Sequence, residues 1–126
     1  MGPRVYGGTV QEGLDKGYMF GLVASGDNHQ DFPGVWGNGL MAVFAQELSR
    51  RSIWEAFKKR RVYGVTGDRI QLYFSANGYI MGEAFASIEP LTMKVKVIGS
   101  HAVDRIEIIK NGKVLYTYCH QANGNL

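Results

Sequence analysis

The sequence predicts an α+β fold, and three observations carry that prediction. Near Gly67-Asp68 its character changes: upstream, helical patterns sit beside a run apolar on both faces, YMFGLVAS, whereas downstream the apolar residues recur with period two. Asn-Gly pairs at Asn77-Gly78 and Asn111-Gly112 stand where tight hairpin turns would close that alternation. Seventeen glycines in 126 residues point to short elements joined by tight turns. Two parts are therefore expected, residues 1–67 and 68–126.

In chain order, Thr9–Lys16 reads as a short helix stopped by Gly17, and Tyr18–Ser25 as a buried strand. A helix leading into such a strand is the unit of a parallel α/β sheet. Gly26–Gly39 is a long loop, and Leu40–Ala45 is either a second short strand or the start of a helix. Arg50–Arg61 is a helix: Ser49 can cap it, Ile53, Trp54 and Phe57 share a stripe, and Lys58–Arg61 suits the negative end of its dipole. Gly64 is expected to end it. Beyond Asp68, Ile70, Leu72 and Phe74 alternate with Gln71, Tyr73 and Ser75, and Met93, Val95 and Val97 alternate with Lys94, Lys96 and Ile98. With Ile106–Ile109 and Val114–Tyr118 this predicts about five strands in one antiparallel sheet or small β-sandwich, one face buried by the aliphatic residues.

Composition narrows the function classes. The 14 Lys+Arg against 11 Asp+Glu leave a formal charge of only +3, too mild a bias for a nucleic-acid partner. No apolar stretch reaches the roughly 18 residues of a membrane span, so no membrane partner is expected. The start, MGPRVYGGTV, has no apolar core behind Arg4 and does not read as a signal peptide. Cys119 is the one cysteine, which excludes an intrachain disulfide and suits a cytoplasmic location.

The residues that bear chemistry lie where the apolar run stops, in GLVASGDNHQDFPG. In an extended chain, Asp27 and His29 project to the same side, and a carboxylate with a neutral imidazole suits zinc, manganese or iron. At the carboxyl end of a barrel strand such a pair is where chemistry sits. On the spacing alone, a second reading stays open: Asp27 caps a turn and His29 hydrogen-bonds within the loop. Asp31 and Trp36, in the same glycine-rich loop, are weaker candidates for lining a substrate pocket.

Three segments, GLVASGDNH, GLMAVFAQELSRRSIWEAFKKRRVYGVTGDRIQLYFSANGYIMG and IEIIKNGKVL, resemble the carboxyl-terminal part of the polymerase-and-histidinol-phosphatase (PHP) superfamily, in members that carry an extra β domain. The resemblance covers roughly residues 9–118. It implies the last strand and helix of a PHP-type (β/α) barrel followed by an antiparallel β domain. It also implies that Asp27 and His29 match the family's last metal motif, a D-x-H, in a metal-dependent hydrolase of the phosphoesterase class. The family's remaining ligands, an amino-terminal H-x-H among them, have no counterpart here, and His101 and His120 fall at spacings that match no family motif. The resemblance therefore implies a fragment, inactive alone, whose partner is the missing barrel segment. Without barrel neighbours, residues 1–45 are expected to be disordered, repacked on the β half, or covered by self-association with a second copy.

Other patterns have plainer readings. Gly37-Asn38-Gly39 does not directly follow the good strand and reads as a loop, not a dinucleotide fingerprint. Asp27, His29 and Asp31 lack the glycine and glutamate of a calcium loop, where Phe32 and Asn38 stand instead. Cys119-His120 has no zinc spacing, and Thr66-Gly67-Asp68 reads as a turn launching the sheet. The alternative function is a non-catalytic β-rich binding or structural module in which the D-x-H is incidental.

Overall fold

A computed structural model describes residues 5, 7–29, 32, 34–35 and 37–119. The chain forms two compact units, residues 21–101 and residues 1–20 with 102–126. The boundary expected at Gly67-Asp68 falls inside the first of these.

The 21–101 unit begins with an extended segment. It then forms β1 (Gly39–Val43), α2 (Arg50–Lys58), β2 (Val62–Thr66), β3 (Gln71–Ala76), β4 (Tyr79–Ile80) and β5 (Met93–Ile98), with α1 lying earlier in the chain at Val10–Asp15. Ser49 caps α2 as expected, its hydroxyl accepting from the Ser52 backbone N–H at 3.2 Å. The helix stops short of Arg61. Arg60 takes a left-handed φ of +55°, and the Arg60 and Arg61 N–H groups donate back to Phe57 and Ala56 carbonyls at 2.9 Å. This is the turn that glycine usually makes at a helix end, here made by an arginine. Gly64, expected as the terminator, lies within β2. Trp54 points outward, 59% exposed, with the Lys58 ammonium 5.5 Å from its ring centre, and Ala56 takes the buried position instead.

That left-handed turn also decides the sheet. It reverses the chain so that β2 returns antiparallel to β1, pairing Gly39 with Thr66 through Val43 with Val62, and the Phe44 N–H bonds to the Arg61 carbonyl at 2.9 Å. The expected parallel α/β unit is therefore overturned. Leu40–Ala45 resolves as a strand. Tyr18–Ser25 forms no strand, and Tyr18, Met19, Leu22 and Val23 are exposed. Its second half lies against the β1–β2 ribbon by close backbone approach, without a hydrogen-bonded ladder: a Cβ on Gly64 would stand 2.8 Å from the Ala24 methyl, and one on Gly39 2.5 Å from the Ser25 carbonyl oxygen. Among the described residues there is no part of a (β/α) barrel, and the expected PHP-type strand-and-helix remnant is not what this chain forms.

The β half departs from expectation too. The strands make three small antiparallel sheets, β1-β2, β4-β3-β5 and β6-β7, where β6 is Arg105–Lys110 and β7 is Lys113–Cys119, and not one sheet or a sandwich. Alternation alone does not say which strands pair. Asn77 and Gly78, at φ +50° and +85°, close the β3–β4 hairpin. Asn77 also ties this turn to the start of β5. Its side-chain oxygen accepts from the Thr92 N–H at 2.7 Å, while its own N–H donates to the Thr92 carbonyl at 2.9 Å. Leu72, Phe74, Ala76, Met93, Val95 and Val97 share one half-buried face, and Gln71, Tyr73, Ser75, Lys94, Lys96 and Ile98 share the other, which is exposed except at buried Ser75.

Among the described residues few large side chains are fully withdrawn from water: the buried apolar ones are Ala56, Val62 and Val65. Polar fixtures therefore matter. The Tyr63 hydroxyl donates to the Ile70 carbonyl at 2.9 Å and accepts from the Leu72 N–H at 3.0 Å, fastening β2 to the start of β3. Arg60 donates to the Gly82 carbonyl at 2.8 Å, and Arg61 pairs with Glu83 at 3.0 Å, fastening the end of α2 to the turn after β4.

Asp68 accepts from the Ser100 backbone N–H at 3.2 Å and from the Ser100 hydroxyl. The Ser100 hydroxyl bond, ahead of the backbone bonds, holds the Asp68 carboxyl below the ordinary aspartate range. A depressed folded-state pKa adds stability that is present above the unfolded value and is lost as pH falls through the folded one. Urea midpoints of the wild-type chain should therefore fall as pH drops below about 4, and Asp68→Asn should remove part of that slope.

The other unit holds α1 and the β6–β7 hairpin. The Thr9 hydroxyl accepts from the Glu12 N–H at 3.2 Å, and Lys16 pairs with Glu12 at 2.6 Å. Asn111 and Gly112, at φ +51° and +70°, close the hairpin, and a bulge shifts its register between Ile108 and Ile109. All seven β7 residues are exposed. No helix among the described residues is long and apolar enough to cross a membrane.

Candidate functional site

The candidate site is built where the extended segment leaves the β1–β2 ribbon. Ser25 is seated over Gly39, and a Cβ on Gly26 would be 2.9 Å from the Asn38 Cβ, so the backbone is held close to the start of β1 on both sides of the turn. Asp27 then takes a left-handed φ of +45°. This is a conformation that aspartate adopts more readily than most residues, and here it redirects the chain at the candidate ligand itself. The Asn28 side-chain amide donates to the Phe32 carbonyl at 3.1 Å, closing the loop.

The result is a cleft of about 510 Å³ whose wall includes Ser25, Asp27, Asn28, Asn38 and Leu40. The turn brings the two predicted ligands together: Asp27 Oδ1 and His29 Nε2 are 3.4 Å apart, with both side chains almost fully exposed. The separation exceeds the 2.7–2.9 Å of a good charge-assisted hydrogen bond. It is close to the roughly 3.3 Å that separates two ligands sitting about 2.0–2.1 Å from one tetrahedral cation. The donor set, one carboxylate oxygen and one imidazole nitrogen, fits zinc, manganese or iron. Among the described residues no group of three or more His, Cys, Asp or Glu side chains could hold a metal ion. Asp31, Trp36 and His120 lie outside the described residues. His101 stands apart from the pair, its Nδ1 3.0 Å from the Ser100 hydroxyl oxygen.

Sequence reasoning missed the supports of this site. Gly39 positions the turn through close approach of the Ser25 backbone and Asn38 through its side chain against Gly26, and the available signal was only that Gly39 opens an apolar run.

Comparison with known proteins gives the chain its relatives. An uncharacterized protein of Chlamydia pneumoniae is 34% identical over 130 residues, covering 92% of this chain and 21% of that protein. Uncharacterized proteins of Chlamydia muridarum and Chlamydia trachomatis are each 32% identical, over the same shares. The chain thus spans about a fifth of the length of the curated relatives it matches. No solved structure matches it. Residues 32–97 match the family described as Protein of unknown function (DUF3604), and this chain belongs to that family.

Proposed function

We propose that this chain is a segment of a metal-dependent hydrolase, phosphoesterase in class and related in activity to the PHP enzymes it resembles, in which Asp27 and His29 are two ligands of a divalent metal centre. The observation that supports this reading is the 3.4 Å separation of their donor atoms on a left-handed turn at the edge of a cleft. Catalytic zinc sites take three protein ligands, so the proposal places the remaining ones beyond the described residues. That missing portion is the chain's first partner in this proposal, and the segment is inactive alone. A bound zinc, manganese or iron ion would supply hydroxide at neutral pH for attack on phosphorus. The chain's own contribution in this proposal is to present two donors together, and Asp31 and Trp36, which follow in the same glycine-rich stretch of sequence, remain pocket candidates. No nucleic-acid or membrane partner enters the proposal, and the location that goes with it is the cytoplasm.

A second reading, a non-catalytic β-rich module with an incidental D-x-H, draws on the near-complete exposure of both side chains. Calorimetric titration of the whole protein with zinc or manganese separates the two. Asp27→Ala and His29→Ala should each lower metal affinity at least a hundredfold, and with it hydrolysis of a generic phosphodiester. Unchanged stoichiometry and rate in both variants would leave the module reading standing.

A further inference from the structure

The geometry points to a second binding site in the 21–101 unit: a cavity floored by Phe44, Tyr63 and Tyr73 and edged by Lys96 and Gln71, which takes a small anion carrying a planar aromatic ring, of the class of nucleoside monophosphates and aryl phosphates. It is independent of the Asp27–His29 centre and needs no metal.

The cavity measures about 420 Å³, within the range that encloses small ligands. Its aromatic floor is fixed before any ligand arrives. The Tyr63 hydroxyl is held by both the Ile70 carbonyl and the Leu72 N–H, so that ring cannot swing away. Phe44 packs against Tyr63 at 5.8 Å between ring centres and meets Tyr73 edge-on at 6.4 Å. Tyr73 is nevertheless 42% exposed, which leaves ring surface open for stacking. An aromatic surface already ordered loses little entropy on binding a flat ring.

The charge comes from the facing strand. Tyr73 pairs directly with Lys96 across the β3–β5 ladder, which puts the ammonium stem beside the ring, and Ile98 opposite Gln71 closes that side. Among the described residues Lys96 makes no ion pair, and neither does Lys94 two residues before it on the same exposed face. An unneutralised Lys96 at the edge of an aromatic-lined cavity, with Lys94 on the same strand face, favours an anion over a neutral sugar. Because Lys96 and the aromatic residues line one cavity, a ligand in which ring and charge are only a few bonds apart can meet both at once.

The test is calorimetric titration of the chain with adenosine 5′-monophosphate in excess EDTA, which keeps any metal centre out of the measurement. Adenosine and inorganic phosphate serve as separate probes. The nucleotide is expected to bind at least tenfold more tightly than either probe alone. Lys96→Gln should weaken it about tenfold and Lys96→Arg should restore it, while Tyr73→Leu should weaken nucleotide and adenosine alike. Lys96 is exposed, so its replacement leaves the fold intact, which far-UV circular dichroism checks. Absence of nucleotide binding, equal binding of adenosine, equal binding of phosphate, or indifference to Lys96→Gln would each overturn the assignment.

Discussion

Replacing Gly82 by alanine lowers the stability of the 21–101 unit by about 3 kcal/mol or more, the largest effect expected of a glycine-to-alanine change among the described residues. Two penalties combine there. Gly82 has φ +90°, where any side chain is strained by about 1–2 kcal/mol. A Cβ would also overlap the Lys59 carbonyl oxygen and stand 2.8 Å from the Arg60 carbonyl group. Those atoms are backbone in the turn that ends α2, so they cannot move aside as a flexible side chain would. Shifting them breaks the Arg60 bond to the Gly82 carbonyl and the Arg61–Glu83 pair. Gly78→Ala is the control. Its φ of +85° carries similar strain, but a Cβ there meets nothing within 4 Å, so about 1 kcal/mol is expected. Equal urea midpoints for the two variants would show that the contact with the α2 turn has no energetic weight.

Gly39→Ala should act on the candidate site without touching a ligand. The residue carries no left-handed strain, so the effect is purely one of contact: the new methyl would lie 2.5 Å from the Ser25 carbonyl oxygen and 3.0 Å from its carbon. The extended segment must lift off the start of β1, and Asp27 follows two residues later. A loss of about 2 kcal/mol is expected on urea denaturation. In the metal centre proposed for the whole protein, affinity should fall at least tenfold, because ligand geometry tolerates displacements of only a fraction of an ångström. Wild-type affinity in this variant would mean that the seat of Ser25 does not position Asp27 and His29.

How much of this was legible in the sequence varies by residue. The Ser49 cap and the two Asn-Gly turns were legible because each is decided within four residues by hydrogen bonding or by tolerance of positive φ. The helix end was not: a left-handed arginine has no local signature, and Arg60 is held by Gly82, 22 positions away. The strand expected at Tyr18–Ser25 failed for a related reason. Its apolar content is plain in the sequence, but being a strand requires a hydrogen-bonding neighbour, and glycines on β1 and β2 admit its backbone against the ribbon without one. Period-two alternation identified β3 and β5, but it carries no information on pairing, which left the three-sheet arrangement unforeseen. At the candidate site, the two-residue spacing and the resemblance singled out Asp27 and His29, whose closeness the turn shows, whereas the cleft depends on Asn38 and Gly39, nine or more residues later.

The seating of backbone on backbone at Gly39 and Gly82 has a consequence for sequence drift. In most domains bulky interior residues resist replacement and small ones vary freely. Here the ordering is reversed: exposed Leu22, Val23 and Trp54 could exchange for many residues, whereas a net gain of one carbon and two hydrogens at either of these two places would be purged.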